Sequence, residues 1–197
     1  MRGLGRELEE RGYKVHNLDL PSRRESVECL ADRVAEAVRS APPGHRVSFV
    51  THSLGGIVIR SYLSRKPDVL LGRVVMLAPP NGGSELADLL NGIPGMRRIA
   101  GPARRDLGTR SPMLRPERAD FELGVIAGTR SFNPLSWFVI PGPDDGVVSV
   151  ESTKLPGMAD FTEVDATHTW IMNAPIVHRL VCDFLARGKF TVPPQSR

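Results

Sequence analysis

Apolar residues along this chain recur in two alternating rhythms, one continuous or of period two and one near 3.6 residues. Leu4 and Leu8 share one face of the first residues while Glu7, Glu9 and Glu10 lie off it, so Met1 to Arg11 reads as a short helix ended by Gly12. Tyr13 to Leu20 alternates enough to predict a strand, closed by Pro21-Ser22-Arg23-Arg24. Ser26 opens a helix with Val27, Leu30, Ala31, Val34 and Val38 on one stripe, and Ala41-Pro42-Pro43-Gly44 stops it. Val47 to Val50 predicts a short buried strand, and Ile57, Val58, Tyr62 and Leu63 fall at helical spacing just after it. Leu70 to Ala78 predicts a strand covered on both faces, because Val74 to Leu77 is continuously apolar. Phe121 to Ala127 and Phe161 to Val164 predict two further strands, and Ala174 to Arg187 a closing helix ended by Gly188.

Strands alternating with amphipathic helices predict an α/β fold, a three-layer, doubly wound and mostly parallel sheet with helices on both sides. In such a sheet the ligand site lies at the carboxyl ends of the strands. With 197 residues and no repeat or low-complexity linker, residues 1–197 are expected to form one domain. Asn91 to Asp120 is rich in Gly, Pro and Arg and breaks the periodicity.

Composition changes this picture in only a few places. Hydrophobic residues make up 41% and charged residues 24%, ordinary for a soluble globular chain. No apolar run approaches the roughly 20 residues of a membrane span. Cys29 and Cys182 have no metal-binding spacing and are expected as buried thiols in a reducing compartment, which implies a cytoplasmic location. The net charge of +4 is concentrated between Arg97 and Arg118, where seven arginines face Asp106 and Glu117 without one aromatic residue. A nucleic-acid binder would interleave aromatics with its basic stripe, so no nucleic-acid partner is expected. A solvated insertion is one reading of this segment, and weak contact with an anionic membrane surface is the other.

The chemistry is concentrated at Thr51-His52-Ser53-Leu54-Gly55-Gly56, between the strand at Val47 and the helix through Ile57. A strand, a tight turn centred on a serine and an immediate helix place the hydroxyl at a helix N-terminus, where a developing negative charge is favoured. The plainer reading is a turn whose helix Ser53 caps. This stretch resembles the nucleophile elbow of the α/β-hydrolase fold, as in bacterial lipases and esterases, with Thr51 replacing the first glycine of the usual G-x-S-x-G. A serine nucleophile needs an oriented base. Of the five histidines, His168 in the loop Asp165-Ala166-Thr167-His168-Thr169-Trp170 lies at the carboxyl edge of the sheet with Ser53. His16 falls in an early strand, His45 at the wrong strand end and His178 inside a helix, while His52 is expected to point away from its neighbour Ser53.

Asp145, directly before Gly146-Val147-Val148, resembles the acid of the Asp-Gly-x-Val motif in bacterial lipases, and Asp144 is the alternative. The order Ser, Asp, His is that of the α/β hydrolases. The resemblance implies a serine ester hydrolase working through an acyl-enzyme, with Ser53 as nucleophile, His168 as base, Asp145 as acid and the Leu54 N–H as an oxyanion donor. A thioesterase or acyltransferase with the same triad, and a catalytically impaired or non-catalytic hydrolase-like domain, are the alternatives. The implied substrate is a small-molecule acyl ester or lipid. No metal spacing, phosphate loop or dinucleotide fingerprint occurs, so no metal or cofactor is expected. Trp137 and Trp170, with Phe138, flank the acid and base as either acyl-pocket walls or buried core. Pro79-Pro80-Asn81-Gly82-Gly83-Ser84 is either a site loop, as its lipase-like counterpart would be, or a plain turn. The resemblance also makes 91–120 a candidate lid over the acyl pocket. Hydrolases of this kind begin with strands that precede the helix at Arg2, the last of them ending in a His-Gly oxyanion motif. The sequence is therefore expected to be N-terminally truncated, and as given it is expected to show weak or absent ester hydrolysis and low stability.

Overall fold

Val74-Val75-Met76-Leu77 forms the centre of the sheet, and each of the four side chains is fully buried. Val74 and Met76 face one apolar cluster and Val75 and Leu77 the other, as the period-two geometry of a strand requires. The structure is a computed structural model that describes residues 1–93, 101–105, 107–109, 111 and 118–191. Its strands are β1 (Val47–His52), β2 (Leu71–Leu77), β3 (Leu123–Gly128) and β4 (Asp160–Val164). They lie side by side in the order β1-β2-β3-β4, and every pairing is parallel.

Helices cover both faces. Helix α2 (Val27–Arg39) and helix α3 (Leu54–Ser64) pack through Leu30, Val34, Val58 and Tyr62 against Val74, Met76 and Val125. Helix α1 (Arg2–Glu10) and helix α5 (Pro175–Arg187) pack through Leu4, Leu8, Val177 and Phe184 against Val75, Leu77 and Ile126. Helix α4 (Glu85–Gly92) follows β2. The expected three-layer, doubly wound parallel arrangement is thus present. The helix ends match the sequence signals: the Ser26 hydroxyl caps α2 by accepting from Cys29 N, and Gly188 closes α5 in the left-handed conformation with φ 74°. Among the described residues no helix is long and apolar enough to cross a membrane.

Several expectations need correcting. Tyr13 to Leu20 forms no strand; it runs as irregular, largely exposed chain, because alternation creates a strand only where a neighbouring strand supplies hydrogen bonds. Within the described sheet β1 is an edge, and this segment does not pair with it. Cys29 is exposed, since it falls off the Val27-Leu30-Val34 stripe, whereas Cys182 is buried and burial pushes its thiol pKa up. Of the candidate lid at 91–120, residues 94–100, 106, 110 and 112–117 lie outside the described residues. The described part includes a helical turn, Pro102–Arg105, and is fastened to α4: Ser84 N donates to Leu107 O at 2.8 Å and Thr109 Oγ1 to Asp88 at 2.6 Å.

The close approach of α3 to the loop after β2 depends on Gly56. A Cβ there would stand 3.0 Å from Pro79 Cβ and 3.2 Å from Met76 Sδ. Alanine would gain about 1 kcal/mol in helix propensity, but overpacking against a ring and a buried thioether costs about 1–3 kcal/mol. Gly56→Ala is therefore expected to lower the free energy of urea unfolding by about 1 kcal/mol. Gly92→Ala, with nothing among the described residues within 4 Å of its new methyl, is expected to leave it unchanged or slightly raised.

Candidate active site

Ser53 is the single residue between β1 and α3. Its backbone adopts φ 53° and ψ −126°, a region that L residues enter at a cost of roughly 1–3 kcal/mol. Two backbone bonds hold it there: Ser53 N donates to Leu77 O at 2.9 Å and Gly56 N to Ser53 O at 2.9 Å. Gly55 makes room for Thr51, because a Cβ at 55 would lie only 3.3 Å from Thr51 Cβ. Thr51 can therefore occupy a place where a glycine is usual.

The loops after β3 and β4 bring an aspartate and a histidine to the same rim. Gly128 ends β3 between them, and a Cβ there would meet Ala166 O at 2.5 Å and Asp145 Cβ at 2.9 Å. Asp145 is 2% exposed and its carboxylate accepts three bonds. Oδ1 takes Val147 N at 3.0 Å and Val148 N at 2.8 Å, and Oδ2 lies 2.7 Å from His168 Nδ1. A carboxylate can only accept, so the His168 proton sits on Nδ1. Nε2 then offers a lone pair, and the Ser53 hydroxyl lies 2.8 Å from it. The structure thus brings Ser53, His168 and Asp145 into one hydrogen-bonded line. Asp144 turns elsewhere and accepts from Gly146 N at 2.7 Å, closing the tight turn.

The Leu54 N–H is the first of α3, a position without an intrahelical acceptor, beside the Ser53 hydroxyl at the helix N-terminus. A cleft of about 850 Å³ opens over Ser53 and His168. Its walls include Phe49, Val58, Ile59, Leu86, Leu90 and Met172. Leu107, from the described part of the segment 91–120, also lines it, as does Ser84 of the loop after β2. The Ser84 hydroxyl donates to Val147 O at 2.7 Å, and Glu85 Oε1 accepts from Ser149 and Ser152 at 3.3 Å, so the start of α4 braces the loop that carries Asp145.

Trp137 and Trp170 are neither core nor cleft wall in this structure; they are 64% and 66% exposed, and Phe138 is 88% exposed. For Trp137 and Phe138 the reason is helical phase. Ser136 and Ile140 are the buried pair four residues apart, which leaves 137 and 138 on the outer side of the turn. His178 is a satisfied partner between helices, bonded to Glu7 and to Met172 O.

Sequence reasoning missed the part played by His52. Its Nε2 lies 2.9 Å from the carbonyl oxygen of His168, and the two rings are 4.9 Å apart. Burial, and then the nearby His168, lower its pKa from 6.5 to about 4, against a smaller pull upward from the His168 carbonyl and Asp145. The only advance signal was its position beside the serine.

The profile of the alpha/beta hydrolase family matches residues 1–192. No curated protein matches the chain. Among solved structures, phospholipase PlaB from Legionella pneumophila is 22% identical with a TM-score of 0.59, over 77% of this chain and 41% of its own. The metagenomic carboxyl esterase MGS0156 is 21% identical with a TM-score of 0.65, over 85% of this chain and 58% of its own. The pyrethroid hydrolase PytH is 15% identical with a TM-score of 0.60, over 95% and 92%. The chain therefore spans less than two thirds of the first two, and at these identities the likeness is one of fold.

The depressed pKa of His52 makes stability depend on pH. Between pH 6.5 and about 4 the unfolded chain binds a proton at His52 that the folded chain refuses. This contribution is complete above pH 6.5 and is lost as the pH falls toward 4. Urea unfolding of wild type is expected to weaken across that window more steeply than that of His52→Gln, and equal slopes would contradict the assignment.

Proposed function

Because the chain belongs to the alpha/beta hydrolase family, we propose that it is a serine hydrolase of carboxylic esters, with Ser53, His168 and Asp145 as its catalytic residues. The observation that carries this reading is the unbroken line from Ser53 Oγ to His168 Nε2 and from His168 Nδ1 to Asp145 Oδ2. Ser53 Oγ attacks the ester carbonyl as its proton passes to His168 Nε2. Asp145 holds the imidazole in the required tautomer and stabilises the imidazolium that forms. The carbonyl oxygen, now negative, accepts from the Leu54 N–H at the start of α3. The intermediate collapses, the leaving alkoxide takes the proton from Nε2, and an acyl group remains on Ser53. Water repeats the sequence, delivering its proton to Nε2 and releasing the acid.

The apolar walls of the cleft support a small acyl ester or lipid as substrate, and the esterase and phospholipase among the fold relatives fit the same class. A thioester would pass through the same steps. A second, weaker contact is also proposed, with an anionic membrane surface. It rests on Phe132, Trp137, Phe138 and Trp170, all more than half exposed, and on the arginines of 97–118 in the sequence. Sedimentation with anionic vesicles that declines as salt is raised supports this contact, and equal binding to neutral vesicles contradicts it.

A fluorophosphonate probe tests the main reading, since labelling needs only the activated nucleophile. Mass spectrometry is expected to find the adduct on Ser53, and Ser53→Ala to remove it. His168→Ala is expected to slow labelling by about 10³-fold or more. A folded wild-type chain that stays unlabelled would identify a non-catalytic member of the family instead.

A further inference from the structure

His52 is half-hidden in the rim, uncharged at neutral pH, and plays no part in the line from Ser53 to Asp145. Its backbone is fixed as the last residue of β1, paired with Leu77 of β2. From that anchored position its ring reaches across to the loop that carries the base. We propose that His52 is a positioning residue: by donating from Nε2 to the carbonyl oxygen of His168, it holds the main chain of the base so that the imidazole meets Ser53. This inference rests on the catalytic reading of Ser53, His168 and Asp145.

The polar groups of His168 account for the need. Its N–H donates to Asp145 O at 2.9 Å, its Nδ1–H to Asp145 Oδ2 and its Nε2 accepts from Ser53. Only the carbonyl oxygen remains, and among the described residues no backbone N–H donates to it. His52 Nε2 does, at 2.9 Å. A carbonyl can only accept, so His52 must carry its proton on Nε2, the opposite tautomer from His168. Two consecutive residues therefore grip the base from both ends, Ser53 at the ring and His52 at the main chain. With the carbonyl released, the loop Asp165 to Thr169 could rotate the peptide of His168, and a displacement near 1 Å between base and nucleophile costs on the order of 10²-fold. A neutral ring 4.9 Å from His168 also leaves the imidazolium of the reaction without a like charge beside it.

Phenylalanine keeps the shape of histidine and cannot donate, whereas glutamine donates through an amide of similar reach. Fluorophosphonate labelling of Ser53 is measured against probe concentration, to separate the limiting rate from the binding constant, with urea unfolding confirming that each variant folds. His52→Phe is expected to lower the limiting rate by about 10-fold or more with little change in binding, and His52→Gln to recover most of it. Equal rates for His52→Phe and wild type, or a folded His52→Gln as slow as His52→Phe, would overturn the proposal. Should His52→Phe fail to fold, long-range ¹⁵N–¹H spectra of the wild-type chain decide: a neutral His52 with its proton on Nε2 supports the bond, and a proton on Nδ1 removes it. A wild-type chain that does not label at Ser53 defeats the catalytic reading, a result distinct from labelling that is indifferent to His52.

Discussion

A serine held at φ 53° between β1 and α3 is the constraint from which the rest of the site follows. At that angle the chain reverses within one residue, and the hydroxyl projects from the end of the sheet rather than into either face. The roughly 1–3 kcal/mol this conformation costs is small beside the packing that enforces it. Ile57, Val58, Ile59 and Tyr62 on α3 are all buried, and burial of such a side chain contributes about 1.5–3 kcal/mol. Helix α3 is therefore seated by its own apolar face, and the turn at Ser53 adopts whatever backbone angles that seating demands.

Once the serine is fixed, the other two groups need only arrive from parallel strands that end at the same edge. Gly128 lets the loops after β3 and β4 approach within contact, and Asp145 ties them together by bonding both the main chain and the ring of His168. The loop after β2 closes the arrangement from a third side through Ser84 on Val147 O. Each polar atom of the carboxylate has a partner, so its orientation is set before any substrate enters. That pre-set geometry is what a proton-transfer site requires.

Much of this was legible in the chain because the signals were local. The continuous run Val74 to Leu77 could only be a strand covered on both faces, and β2 is that strand. Ser53 and Asp145 were singled out by their resemblance to hydrolase motifs and His168 by elimination among the histidines, and the fold brings the three within hydrogen-bonding distance of one another. Tyr13 to Leu20 misled because alternation records a preference, while a strand is a pairing, and none is made there. Trp137 misled because closeness in sequence to Asp145 says nothing about helical phase, and Trp170 because a turn residue close to His168 can still face outward. His52 escaped notice for a different reason: its partner is a main-chain carbonyl more than a hundred residues away, and no side-chain pattern announces such a bond.

The central claim is geometric: the turn at Ser53 presents one hydroxyl simultaneously to the imidazole of His168 and to the N-terminus of α3. A crystal structure of the chain after reaction with an alkyl phosphonate tests this most directly. The account predicts phosphorus bonded to Ser53 Oγ, the backbone still at positive φ, and the phosphoryl oxygen within about 3 Å of Leu54 N. An adduct whose phosphoryl oxygen points away from α3, or a Ser53 that has relaxed to negative φ and left His168, would contradict it.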